Sequence, residues 1–435
     1  MKNDEILAPP TPRGYARPVP EGASPWIPRR ILPRLEEALG EARVVVVCGA
    51  RQTGKTTLAH RLAASRRGTY WTLDDIEARA ILDRDPRALL EGPPPVVIDE
   101  FQIGGDRLLR AIKMAVDLKP AAGRFLLTGS TRFTTVANLS ESLAGRAEIV
   151  ELWPLTQGEV HGGHDRFVDG LFEPTALLRR KPPPVTRLEA VRRMVSGGYP
   201  SVLARPSRSR QRWYRSYVRT VTERDVREIS GVQSVASVRR LLAVLAARTA
   251  QEFNLANAAL DLDLPRTTVA GYLPLLESLY MVQRLPAWSR NLRQRVARHP
   301  KLHLVDTGLA ASLVGADAEA LAQPGHPALG PLLETFVAGE IRRQATWSET
   351  EVDLFHFRDH NGPEVDLVLE ASDGRIAGIE VKASSTVEGR DFRGLDLLHD
   401  RLADRFAMGV VLHLGERILP FGDRRVAMPI SALWS

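Results

Sequence analysis

Four valines and a cysteine run without interruption from Val44 to Cys48, the pattern of a strand covered on both faces inside a parallel sheet. Similar short apolar runs at Thr69 to Leu73, Pro95 to Ile98 and Arg124 to Thr128 alternate with helical stretches, and Ile31 to Leu39 has helical periodicity. That alternation predicts a doubly wound α/β domain over about the first 150 residues. A weaker boundary falls at Lys181-Pro182-Pro183-Pro184, after which helical patterns, interrupted by Gly197-Gly198-Tyr199-Pro200, continue to about Tyr280. Strand patterns return at Leu302 to Val305, Val352 to Phe357, Val365 to Glu370, Ile376 to Val381 and Gly409 to Leu414, which predicts a second α/β domain.

The chain has 435 residues, enough for two or three domains. Its 59 Lys+Arg against 52 Asp+Glu give a net charge of +7, which favours an anionic partner such as nucleic acid but also fits a solvated surface. Almost all the positive charge is Arg, since Lys stands only at positions 2, 55, 113, 119, 181, 301 and 382. Cys48 is the single cysteine, so neither an intrachain disulfide nor a Cys-rich zinc site can form, and a cytoplasmic location is expected. No run approaches the roughly 20 apolar residues of a membrane span, so membrane insertion is not expected.

The sequence at residues 49–56 is Gly49-Ala50-Arg51-Gln52-Thr53-Gly54-Lys55-Thr56, followed by Thr57, between a strand and a helix. Such a turn aims backbone N–H groups and a helix N-terminus at a phosphate. Lys55 can reach the β- and γ-phosphates of ATP and Thr56 can place its hydroxyl on Mg²⁺. Val96-Val97-Ile98-Asp99-Glu100 ends an apolar strand in two carboxylates, with Asp99 for the magnesium shell and Glu100 for the attacking water. Thr128, in Leu127-Thr128-Gly129-Ser130, is a candidate γ-phosphate sensor or merely the end of a strand. Arg146 is either a transition-state Arg, in cis or in trans across a homo-oligomer, or a surface ion-pair Arg.

These blocks, with Trp26-Ile27-Pro28-Arg29, Ile98-Asp99-Glu100-Phe101-Gln102, Ser142-Leu143-Ala144-Gly145-Arg146 and Pro154-Leu155, resemble a bacterial and archaeal family of AAA-type ATPases. In that family a C-terminal domain of unknown function follows. Gly197-Gly198-Tyr199-Pro200, Glu223-Arg224-Asp225-Val226, Pro300 to Leu309 and Glu380-Val381-Lys382 look like that second part. The resemblance implies ATP binding and hydrolysis and carries no biological role with it.

Arg208, Arg210, Arg212, Arg215, Arg219 and Arg224 are interleaved with Trp213, Tyr214 and Tyr217. Either the arginines bind phosphate while rings stack on bases, or an amphipathic helix turns Trp213 and Tyr217 inward. Phe253 to Ala259, a corner at Asp261 to Leu264 and a new helix from Pro265 read as a helix-turn-helix, with Arg266, Thr267 and Thr268 at the exposed start of its second helix. Arg284, Arg290, Arg293, Arg295, Arg298 and Lys301 can then form a wing over DNA phosphates, although such modules also serve protein contacts.

At the C-terminal end, Asp366 lies near the start of one expected strand, and Glu380 and Lys382 share a face of the next because side chains alternate. Two carboxylates for Mg²⁺ or Mn²⁺ and one ammonium resemble the core of the PD-(D/E)XK nucleases, with Glu334 on an expected helix Pro331 to Arg343 as the upstream carboxylate. Such a core can cleave phosphodiesters or survive as a binding module. Glu340 and Glu370 are expected to face solvent. No His-Glu-x-x-His helix and no Gly-x-Ser-x-Gly turn occurs, which removes support for zinc peptidase and serine hydrolase chemistry. The expected organisation is a flexible segment at 1–28, a P-loop AAA-type ATPase domain with a helical lid at 29–205, a helical winged-helix region at 206–300 and a nuclease-like α/β domain at 301–435.

Overall fold

A computed structural model describes residues 26–131, 143–226, 234–359 and 362–435. The expected flexible N-terminal segment falls almost wholly outside the described residues. Two compact units emerge. The first comprises Leu35–Cys48 and Gly54–Val150, and the second the described part of Ser24–Arg34 with Gly49–Thr53 and Glu151–Ser435.

The first unit is built on strands β1 (Val44–Cys48), β2 (Thr69–Thr72), β3 (Val96–Asp99), β4 (Phe125–Gly129) and β5 (Ala147–Glu151), in the order β2-β3-β4-β1-β5. The β1–β4, β3–β4 and β2–β3 pairs are parallel. Every residue of β1, β3 and β4 is buried, which explains their unbroken apolar runs. Helix Gly105–Leu118 buries Leu108, Ile112 and Val116, one turn apart, and leaves Arg110 and Lys113 outside. Because β4 is inserted between β1 and β3, the strand order reverses next to β1, and the carboxyl ends of the parallel strands β1, β3 and β4 lie at the same edge of the sheet.

The second unit contains two sheets. Strands β6 (Gln251–Glu252), β7 (Val282–Leu285) and β8 (Lys301–Leu304) form an antiparallel sheet in the order β6-β8-β7, joined to helices Val235–Ala247, Leu255–Leu262 and Arg266–Ser278. Strands β9 (Val352–Arg358), β10 (Glu364–Ala371), β11 (Ile376–Lys382), β12 (Phe406–His413), β13 (Leu419–Pro420) and β14 (Arg425–Pro429) form a mixed sheet in the order β13-β14-β12-β11-β10-β9. Helix Arg393–Leu402 closes one face of it, where Leu395, Leu398 and Leu402 pack with Phe406, Val365 and Val411. Among the described residues no helix is long and apolar enough to cross a membrane.

Three expectations change. The boundary expected after residue 300 cuts through a sheet, because β8 hydrogen-bonds to β7 and β6 rather than to the C-terminal strands. The ATPase domain was expected to run to 205, and residues from Glu151 on group with the second unit. Glu340, expected in solvent, is fully buried with Oε1 accepting from Arg343 Nη1 at 2.8 Å and Oε2 from the Gln157 N–H at 3.0 Å. Glu370 is half-buried and paired with Arg295 at 2.6 Å.

Candidate functional site

In the first unit the carboxyl ends of β3 and β4 and the start of helix Lys55–Ser65 carry the expected side chains. Gly54, at φ +96°, takes the left-handed turn that leads into the helix, a conformation suited to glycine. Lys55 is buried at 5% exposure, and Thr56 donates to Asp99 Oδ2 at 2.9 Å. Thr128 donates to Asp99 Oδ1, and Tyr70 donates to Oδ2 at 3.0 Å. Burial raises the Asp99 carboxyl above its usual range against the opposing hydrogen bonds from Thr128 and Thr56, and burial with the neighbouring Asp99 raises the Tyr70 phenol. A buried carboxylate beside a hydroxyl, with its charge incompletely compensated, fits the outer shell of a divalent cation.

Glu100 follows directly at φ +55°, an uncommon conformation for a residue with a Cβ. Its Oε1 accepts from Ser130 Oγ at 3.1 Å and its Oε2 from Gln102 Nε2, so both oxygens are oriented. Thr128 therefore fixes Asp99, and Ser130 and Gln102, neither of which the motif reading singled out, fix Glu100. Arg146 makes a two-pronged pair with Asp117, Nε–Oδ1 2.6 Å and Nη2–Oδ2 3.0 Å, on the helix Gly105–Leu118. This geometry matches the surface ion pair of the two readings.

Gly49–Thr53 group with the second unit. A Cβ on Gly49 would strike the Leu152 carbonyl oxygen, so only glycine fits that approach. Arg51 Nε pairs with Asp225 Oδ2 at 2.6 Å, and Gln52 Oε1 accepts from Ser201 Oγ at 3.0 Å. The buried Arg29 donates to Thr53 O at 2.8 Å, Trp153 O at 2.7 Å and Glu159 Oε1 at 2.9 Å. Arg51 and Asp225 lie 174 positions apart, so local spacing gave no signal of the pair. Both residues do, however, fall in blocks of the family pattern.

The C-terminal candidates converge. Strands β10 and β11 pair antiparallel, bringing Asp366 beside Glu380 and Lys382, and Glu334 approaches from helix Leu329–Ala345. Asp366 Oδ2 accepts from the Val381 N–H at 2.9 Å, and Lys382 Nζ donates to Glu380 Oε1 at 2.8 Å. Glu380 Oε2 is buried without a hydrogen-bond partner. Burial, followed by the nearby Asp366, pushes the Glu380 carboxyl up to about 8, and burial raises Glu334 well above its usual range. Lys301 belongs to the same cluster, with Nζ 2.7 Å from Glu334 Oε1 and 3.1 Å from Asp366 Oδ1. It was expected on an exposed wing but is 5% exposed. Among the described residues no group of three or more His, Cys, Asp or Glu is arranged to hold a metal ion. The orphaned Glu380 oxygen, with Asp366 in the same cluster, is a carboxylate donor of the kind a divalent cation takes.

The aromatic residues of helix Ser207–Thr220 do not present base-stacking faces. Tyr214 and Tyr217 are buried, Trp213 stacks on Tyr217 at 5.1 Å between ring centroids, and Tyr214 donates to Asp306 Oδ1 at 2.9 Å. Tyr217, as the amphipathic alternative expected, turns inward, while Arg208, Arg212, Arg215 and Arg219 lie exposed. Arg266 and Thr267 are exposed at the start of helix Arg266–Ser278. Among the expected wing residues, Arg284 pairs with Glu277 at 2.9 Å and Arg295 with Glu370, whereas Arg290 and Arg293 remain exposed.

Residues 41–161 match an AAA domain. Residues 188–320 match a domain of unknown function, DUF8612, which runs across position 300, and residues 329–433 match another, DUF4143. Among curated proteins, "Uncharacterized protein Rv2008c" of Mycobacterium tuberculosis and "Uncharacterized protein Mb2031c" of Mycobacterium bovis are each 33% identical over 402 residues, covering 91% of this chain and 82% of theirs. Among solved structures, the Walker-type ATPase PABY2304 of Pyrococcus abyssi aligns at 16% identity and a TM-score of 0.40 over 65% of this chain and 94% of that one. This chain, in which an AAA domain is joined to two domains of unknown function, belongs to the family of these two mycobacterial proteins.

Proposed function

We propose that this protein binds and hydrolyses ATP with Mg²⁺ in the cytoplasm, engages DNA through the three-helix module of its second unit, and cleaves phosphodiester bonds at the cluster of Glu334, Asp366, Glu380 and Lys382. The observation that carries the ATPase part is the triple hold on Asp99 by Thr56, Thr128 and Tyr70 beside the buried Lys55. Lys55 neutralises charge on the β- and γ-phosphates, and the backbone from Gly49 to Thr57 lines the triphosphate. Glu100, oriented by Ser130 and Gln102, aligns the attacking water and accepts its proton. Held by Thr56 and Asp99, Mg²⁺ would supply neutralisation of the phosphate oxygens. Arg146 acts in trans only in an oligomer that draws it away from Asp117.

The order helix, strand, helix, helix, strand, strand, with a short helix Leu292–Ala297 in the connection between the last two strands and β8 between β6 and β7 in the sheet, supports reading the module as a winged helix. Its second helix offers Arg266 and Thr267 to a groove and the β7–β8 connection offers Arg290 and Arg293 to phosphates. At the C-terminal cluster Asp366 and Glu380 would hold Mg²⁺ or Mn²⁺, whose contribution is Lewis-acid polarisation of the scissile phosphate. Lys382 would balance charge on that phosphate, and Glu334 would orient the water.

A second reading, in which the C-terminal domain binds nucleic acid or a protein without cutting it, is favoured by the Lys301 ammonium between Glu334 and Asp366. One set of assays separates the two. On duplex, single-stranded and branched DNA with Mn²⁺, cleavage by the wild type that disappears in Asp366→Ala supports the first reading, and equal cutting by both removes this site from the reaction. In the same samples Arg266→Ala is expected to weaken duplex binding and reduce its salt slope by about 1. An unchanged salt slope contradicts the assignment of the module to DNA.

A further inference from the structure

Lys301 is one of seven lysines in a chain whose positive charge is otherwise Arg, and it stands at the start of β8 with its ammonium inside the C-terminal cluster. An ammonium is compact and directs its donors to several oxygens around one point, as a small cation does, where the planar guanidinium of Arg presents a fork. Its separations from Glu334 Oε1 and Asp366 Oδ1, 2.7 and 3.1 Å, are those of a bridging charge. Lys382 is already engaged by Glu380.

In the ionised form that metal binding requires, the three carboxylates and two ammoniums leave one negative charge in excess, and Glu380 Oε2 is orphaned. A divalent ion added beside Lys301 would turn that into one positive charge in excess within a poorly hydrated site. An ion that replaces Lys301 leaves the cluster neutral. Buried charge is tolerated only when it is compensated, so exchange is favoured over addition.

We propose that Lys301 is the resident cation of this site, its ammonium resting on the Asp366 oxygen that a divalent ion held by Asp366 and Glu380 would take, so that metal enters only when Lys301 withdraws. The inference rests on reading the cluster as a cation site. It also links the two sheets of the second unit. The ammonium is mounted on β8, which pairs with β6 and β7 of the three-helix module, whereas Asp366 and Glu380 are mounted on β10 and β11.

The test is Mn²⁺ binding to nucleotide-free, full-length protein, followed by the electron paramagnetic resonance of free Mn²⁺. Lys301→Met is expected to bind one Mn²⁺ about 10–100-fold more tightly than the wild type, and adding Asp366→Asn to that variant is expected to abolish the gain. Because Lys301→Met leaves two carboxylates unpaired and can unfold, Lys301→Gln, whose amide can still donate to Glu334 or Asp366 while carrying no charge, serves as a second variant with the same expected gain. Equal Mn²⁺ affinity in the wild type and both Lys301 variants overturns the proposal, as does the absence of Mn²⁺ binding from all of them. Cleavage is scored separately. A Lys301→Met protein that gains Mn²⁺ but does not cut DNA supports the exchange and sinks only the cleavage reading, whereas a wild type that binds Mn²⁺ as tightly as Lys301→Met and cuts sinks only the exchange.

Discussion

Glu100→Gln protein is expected to bind ATP as the wild type does and to hydrolyse it about 10²–10⁴-fold more slowly. The substitution keeps the size of the side chain and its contacts to Ser130 and Gln102 and removes the base. Nothing about the triphosphate cradle changes, because Lys55, Thr56 and Asp99 are untouched. Nucleotide affinity from fluorescent ATP titration and steady-state phosphate release separate the two effects. An equal loss of affinity and turnover would mean that Glu100 builds the site rather than acting in it, and full activity would remove it from the reaction.

The second large effect is on stability. Arg343 stands in the buried helix Leu329–Ala345, where it donates to Glu340 Oε1 at 2.8 Å and to the carbonyls of Leu155 at 3.3 Å and Val305 at 3.2 Å. Arg343→Met strands a fully buried carboxyl and two carbonyls, and is expected to cost about 3–5 kcal/mol in urea denaturation at neutral pH. The loss depends on pH. Burial already pushes the wild-type Glu340 carboxyl up from 4.5 to about 8, against the pull of Arg343. Folded protein then holds a proton that unfolded protein has released, so the contribution of this group is complete below about 4.5 and declines as pH rises through about 8. Without Arg343 the carboxyl rises further and the decline continues to higher pH, so the difference between variant and wild type should hold steady from about pH 5 to 7 and widen as pH rises through about 8 toward 9. A difference that is constant across that range contradicts the role given to Glu340.

The parts of this molecule that were readable in advance are those in which a short string determines its own surroundings. Val44–Cys48 and Val96–Asp99 could be recognised because strands covered on both faces admit no alternation. The turn that follows Cys48 could be placed between a strand and a helix because Gly54 takes the left-handed conformation that opens that helix. Asp366, Glu380 and Lys382 were readable together because two antiparallel strands with side chains of period two leave them few places to go.

Partners distant in sequence were not. Residues 301–304 have the pattern of a strand, but that pattern does not say whether the strand joins the sheet before it or the sheet after it, and this choice carried Lys301 from an expected surface wing into a buried cluster. Glu340 was misjudged because helix Leu329–Ala345 is buried on nearly all sides, so a polar residue there has no solvent face to take. Trp213 and Tyr217 alternate with arginines in a way that suits either stacking on bases or packing inward, and only the ring cluster with Tyr199 decides between them. Ser130 and Gln102 escaped notice because their role is to hold Glu100, which spacing alone does not express.

The most direct test compares ATP binding and turnover by wild-type and Lys55→Ala protein in the presence of Mg²⁺. Wild type should bind and hydrolyse ATP, and loss of the buried ammonium should lower turnover about 10²–10³-fold with a marked fall in affinity. A Lys55→Ala protein that binds and hydrolyses ATP as well as the wild type would contradict the assignment of the nucleotide to this loop.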